Sequence, residues 1–116
     1  DALSAAGEFL GGVIVPGFDL MHEALATNTA RLSAQRGAFV AFPRNTRDAI
    51  TSGAVQALCG TVERMRAALA QAAGAEPTLV LSGGAAQHVA AHLDRPVQRV
   101  EKLVLHGLVR IAREAP

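Results

Sequence analysis

Gly11-Gly12-Val13-Ile14-Val15-Pro16-Gly17 is the stretch on which the fold turns. Three consecutive β-branched residues without polar alternation predict a strand covered on both faces, as in a sheet sandwiched between helices. Pro16 lacks the ladder donor and Gly17 tolerates a positive φ, so the strand stops there. A buried strand that ends in a glycine turn before a helix is a common ligand geometry, because α/β ligands lie beyond the carboxyl ends of strands. The stretch alone names no ligand.

Upstream, residues 1–15 read as the edge of a hairpin: Asp1 to Leu3, a turn through Ser4-Ala5-Ala6-Gly7, and a return strand from Glu8 to Val15. Asp1-Ala2-Leu3 has no initiator Met and reads as the end of a strand already under way, so the sequence is expected to be part of a longer chain. Downstream, a helix begins at Phe18, with Met21, Leu25 and Leu32 on an apolar stripe that should pack on the sheet, and Glu23, Thr27 and Arg31 off it. Residues 33–45 lose periodicity and read as a loop with at most one short strand, Ala38 to Phe42.

Asn45 followed by Asp48 is a capping-box variant that opens a helix and sets an acid in its positive first turn. Helical spacing then runs through Ile50, Ala54, Leu58, Val62, Met65 and Leu69 to about Ala73, on the order of 40 Å of helix. Gly53 and Gly60 share one face of it, with Ala57 midway. A helix-interior glycine costs about 1 kcal/mol against alanine, so the face predicts a closely packed backbone, either helix on sheet or a subunit interface. Thr78 to Ser82 is a second buried strand, leading through Gly83-Gly84 into a short helix, Ala85 to His92. Asp94 to Val100 holds a third short strand, edge or terminal because of Pro96. A last amphipathic helix runs from about Glu101 to Arg113 through Val104, Leu108 and Ile111. The order predicts an α/β fold, a mixed sheet with helices packed on it.

The 116 residues, half of them apolar, make one domain with a real core. Eleven basic against ten acidic residues, a formal charge of +1, create no field that would draw nucleic acid or an anionic membrane. With four Phe and neither Trp nor Tyr, stacking platforms for single strands are not expected. No apolar stretch reaches the roughly 18 residues that span a bilayer. A lone Cys59, read as a small buried hydrophobe, fits a reducing cytoplasm.

The strongest chemical signal is strand, Gly83-Gly84, helix. Glycines let a ligand lie against backbone, and a helix start offers N–H groups to an anion, so a nucleotide fits; a plain tight turn fits the same residues. The P-loop Lys and Ser/Thr and the third glycine of a dinucleotide fingerprint are missing. His88 and His92 have the i, i+4 spacing of metal ligands, but without a third ligand they read as solvated surface histidines, as do His22 and His106. Asp19 and Glu23 read as a solvated face sooner than an acid pair. Thr46 places a hydroxyl beside unpaired helix-start donors and, on the residues alone, is a helix-start residue.

Taken together, Gly11 to Gly17, Met21, Ala24-Leu25, Thr29-Ala30-Arg31-Leu32, Asn45-Thr46, Ala49-Ile50, Ser52-Gly53, Ser82-Gly83-Gly84 and Leu103-Val104-Leu105-His106-Gly107-Leu108 resemble the carboxyl-terminal half of bacterial type III pantothenate kinases, in the right order along the whole chain. That family belongs to the actin-like, sugar-kinase ATPase superfamily, so the resemblance implies a ribonuclease-H-like lobe over residues 1–116, with the amino-terminal lobe absent. It implies transfer of the ATP γ-phosphoryl group to pantothenate, the first step toward coenzyme A, with Mg2+ and a monovalent cation (K+ or NH4+), in a cytoplasmic homodimer.

By the same resemblance Thr46 binds pantothenate, Gly83 and Gly84 lie near the adenine nucleotide, and the Gly53/Gly60 face is an interface candidate. The family's Asp-x-Gly-Asn-Thr, Gly-x-Asp-Arg and Asp-x-Gly-Thr-Ala motifs, which carry phosphate, metal, cation and general-base functions, are not in this sequence. No catalytic residue and no metal ligand is therefore expected in this chain, and by itself it should not transfer phosphate. The alternatives are a non-catalytic accessory relative that keeps the lobe as a binding module, and another superfamily kinase that shares only the lobe.

Overall fold

The hairpin at the start of the chain forms as its residues direct, but it is shorter than the apolar pattern suggests. In the computed structural model, which describes residues 1–28 and 35–116, β1 (Ala2–Leu3) pairs antiparallel with β2 (Phe9–Gly11). Ser4 closes the turn: its Oγ accepts from Ala6 N and Glu8 N at 3.2 and 3.1 Å, while Gly7 takes the φ of 82° that the reversal needs.

The return strand ends at Gly11, not Val15. Gly11, the last paired residue of the strand and the partner of Ala2, has φ 135°, a backbone conformation that glycine tolerates. Among the described residues no third strand lies beside residues 12–15 to continue it. Val13, Ile14 and Val15 are consequently exposed, Ile14 completely. The expectation of a strand covered on both faces is thus corrected: the run is apolar, but among the described residues nothing covers it.

By chain contacts the molecule divides into two units, Asp1–Pro77 and Thr78–Pro116. In the first, α1 (Phe18–Asn28) packs on α2 (Thr46–Ala73) and not on a sheet. Its buried face is Phe18 and His22, one turn apart, and Leu25 of the expected stripe is half exposed. His22, expected in solvent, is buried because the i, i+4 spacing puts it on the face that Phe18 anchors. Leu32 and Arg31 lie outside the described residues. The Arg36 guanidinium sits 4.9 Å from the centre of the Phe18 ring and pairs with Asp19, which stays on the exposed face expected of it and gains an ion-pair partner there.

Helix α2 runs over the predicted span. Asn45 (φ −134°, ψ 158°) caps it through Oδ1, which accepts from Asp48 N at 2.9 Å, and Gly74 ends it in the left-handed conformation with φ 68°. Thr51, Ser52, Ala54, Val55 and Cys59 form its buried face, Cys59 as a small unbridged core residue. Gly53, Ala57 and Gly60 are exposed, and a Cβ built at either glycine meets nothing within 4 Å. Among the described residues no backbone lies within reach of a Cβ on that face.

In the second unit β3 (Leu79–Leu81) and β4 (Val97–Arg99) pair in parallel, Leu79 opposite Val97 and Leu81 opposite Arg99, joined by α3 (Ala86–Ala90). The β4 strand with its preceding Pro96 is as expected. The β3 strand is half-buried and not fully enclosed, with β4 its one neighbour strand among the described residues. Helix α4 (Leu103–Glu114) is amphipathic as predicted, yet none of its residues is buried. Among the described residues there are two sheets of two strands each, one antiparallel and one parallel, in place of the single mixed sheet expected. The class is α/β, with helices alternating with short strands.

Candidate functional site

Thr46 is the first residue of α2 and is exposed to solvent. Its position is set by its neighbours. Asn45 and Asp48 close a reciprocal ring around Thr46 and Arg47: Asn45 Oδ1 accepts from Asp48 N, and Asn45 Nδ2 donates to Asp48 Oδ2 at 2.7 Å. The backbone N–H groups of a first helical turn have no intrahelical acceptor, so the Thr46 hydroxyl stands at a positive helix end.

A strap, residues 37–40, lies along this turn and is stitched to it by side chains of α2. Ala38 N donates to Asp48 Oδ1 at 2.8 Å, Gly37 N to Thr51 Oγ1 at 2.9 Å and Val40 N to Ser52 Oγ at 2.9 Å. The Ser52 hydroxyl donates in turn to the Ala38 carbonyl at 3.4 Å. Thr51 and Ser52 are buried, so their hydroxyls satisfy the strap's backbone where water does not reach. Gly37 is the close-approach position: a Cβ there would stand 2.5 Å from Asp48 Oδ1 and 2.6 Å from the Arg47 carbonyl. The donors of Asn45 and Ala38, in that order of weight, hold the Asp48 carboxyl below its ordinary value.

Sequence reading did not find the strap. The signal available for it was the adjacent polar pair Thr51-Ser52 on an otherwise apolar helix face, which needs a partner, together with the aperiodic glycine loop before the cap.

One turn past Thr46, Ala49, Ile50, Gly53 and Ala54 form one wall of an open apolar cavity of about 550 Å³. Pro16, Leu20, Met21, Ala24 and Leu25 form the other. Gly53 therefore faces an open cleft between α1 and α2. The Pro16-Gly17 turn that ends the opening stretch contributes Pro16 to its rim.

The glycine pair belongs to the second unit. Gly83 has φ 107° and accepts from Ala86 N at 3.2 Å, and both glycines are exposed with nothing within 4 Å of a Cβ at either. Backbone there is open to a flat ligand. The helix that follows is shorter than expected, five residues from Ala86 in place of eight from Ala85, and Ala85 gives it no side-chain cap. Its dipole is correspondingly small, which removes the helix-end part of the nucleotide argument. Ser82 Oγ accepts from Leu103 N at 3.3 Å and so serves the start of α4. His88 is half-buried and His92 exposed. Among the described residues no three His, Cys, Asp or Glu side chains converge as metal ligands, and no helix is long and apolar enough to cross a membrane.

The sequence model for type III pantothenate kinase matches residues 1–68, which take in the hairpin, α1, the strap and the Thr46 turn. The chain belongs to the type III pantothenate kinase family. A type III pantothenate kinase of Nitrosospira multiformis is 49% identical over 114 residues, covering 98% of this chain and 44% of the relative. That of Aromatoleum aromaticum is 50% identical over 114 residues, covering 98% and 46%. That of Chromobacterium violaceum is 45% identical over 113 residues, covering 97% and 48%. The chain thus spans about half the length of the curated relatives it matches. Thr46 falls inside the family match, and Gly83-Gly84 fall inside the aligned span of the relatives but beyond the family match.

Proposed function

We propose that residues 1–116 are the carboxyl-terminal, ribonuclease-H-like lobe of a cytoplasmic type III pantothenate kinase that phosphorylates pantothenate with ATP, the first step of coenzyme A biosynthesis. The observation that carries this reading is identity near 50% along almost the whole chain to relatives of that name. In this reading the lobe supplies binding surfaces and the amino-terminal lobe supplies the chemistry. Phosphoryl transfer depends chiefly on positioning and on charge neutralisation. This chain's share is the positioning.

The Thr46 hydroxyl, fixed at the start of α2, hydrogen-bonds pantothenate. Gly83 and Gly84, bare of side chains, allow the nucleotide to lie against backbone. Magnesium and the monovalent cation, K+ or NH4+, belong to the motifs that the family carries upstream. No three such ligands converge among the described residues, and no step is assigned to a metal here. The family's homodimer would use the bare Gly53, Ala57 and Gly60 face of α2.

The test is pantothenate-dependent ATP consumption by the chain extended upstream, with magnesium and a monovalent cation present. Turnover is expected with pantothenate, and Thr46→Val should raise the pantothenate KM. An extended protein that leaves ATP untouched overturns the kinase reading in favour of a non-catalytic relative. Turnover with a sugar or acetate but not pantothenate reassigns it to another kinase of the superfamily.

A further inference from the structure

We infer that Asp48 is a positioning residue for substrate binding, acting through the first turn of α2 and the strap at residues 37–40. The inference rests on the reading of Thr46 as the pantothenate contact. Thr46 sits at an exposed helix end, where chains fray unless they are tied. Three ties meet at Asp48. Its N–H is taken by Asn45 Oδ1, its Oδ2 accepts from Asn45 Nδ2, and its Oδ1 accepts from the Ala38 N–H. The first two close the ring that contains Thr46 and Arg47. The third fastens that ring to the strap, whose own ends are held by buried Thr51 and Ser52.

The strap reaches the ring only because residue 37 is glycine. Any Cβ there would overlap the Arg47 carbonyl and Asp48 Oδ1. Gly37 and Asp48 are thus two sides of one contact, separated by eleven positions in sequence, and neither needs to touch substrate. A hydroxyl held in one place donates or accepts with less ordering cost than one on a fraying turn, so the effect belongs in substrate affinity more than in the rate of the bound complex.

The full-length enzyme tests this in steady-state kinetics with pantothenate and ATP varied separately. Asp48→Ala and Gly37→Ala should each raise the pantothenate KM about tenfold, leaving kcat and the ATP KM within about twofold, and Asp48→Asn should fall between wild type and Asp48→Ala. In a Thr46→Val background the Asp48→Ala effect should vanish, because residues that act through one another are not additive. An unchanged pantothenate KM in folded Asp48→Asn and Gly37→Ala overturns the inference, as does an Asp48→Ala effect that persists undiminished without the Thr46 hydroxyl. Circular dichroism identifies a variant that fails to fold, and the isosteric Asp48→Asn then decides. A wild-type enzyme with no pantothenate-dependent turnover fails the kinase reading instead, which keeps the two failures apart.

Discussion

The Asp48 carboxylate lies among donors, Asn45 Nδ2 on one oxygen and the Ala38 N–H on the other. Those bonds favour the ionised form, so the folded pKa lies below the ordinary 3.8 that the group regains on unfolding. The unfolded chain therefore binds the proton first as pH falls. Stability from this group is complete above the unfolded pKa and is lost as pH drops through the folded one. Denaturant midpoints followed from about pH 6 to about pH 2 should decline on the acid side, and Asp48→Asn should flatten part of that decline. The Asn45/Asp48 pair was legible because a cap is a local event, donor and acceptor three residues apart. The strap was not, because its ties to α2 join residues ten to fourteen positions apart, and His22 was not, because helical spacing marks a shared face without saying which element covers it.

Helix α2 illustrates the same division among elements. Its start, its end at Gly74 and its length follow from caps and spacing. The purpose of Gly53 and Gly60 does not, since glycine reports only that bulk is absent. Gly60 lies in open space with helical backbone on either side. Gly60→Ala should therefore stabilise the monomer by about 0.5–1 kcal/mol through helix propensity and a less flexible unfolded chain. Urea midpoints at concentrations where the monomer prevails provide the measurement, and a loss of stability would reveal a backbone seated on that face. For α4 the amphipathic pattern was correct, and none of its residues is buried. Periodicity reports which face wants cover, and cover comes from other elements.

For the whole molecule, the proposed homodimer makes a prediction separate from chemistry. Ala57 is exposed midway between Gly53 and Gly60. Arginine is nearly as good a helix former as alanine, so Ala57→Arg should leave the fold of each protomer intact while its bulk and charge obstruct a close interface. Sedimentation of the full-length protein should show the variant shifted toward monomer at concentrations where wild type is dimeric. An unshifted dimer would move the interface elsewhere. The α/β class was legible at this scale from the alternation of helical and extended segments. A single mixed sheet was not, because Val13 to Val15 satisfy a strand's composition without a neighbour to pair with among the described residues.

That uncovered run carries a hazard of its own. Phe9, Leu10, Val13, Ile14 and Val15 all present apolar surface, and β-branched residues with unpaired backbone are the usual seeds of intermolecular strand stacking. A dry zipper needs six or seven suitable residues in succession. Gly11-Gly12 on one side and Pro16-Gly17 on the other limit this stretch to three. The glycines and the proline that flank Val13 to Val15 therefore also act as gatekeepers against aggregation, keeping this apolar run too short to propagate a fibril.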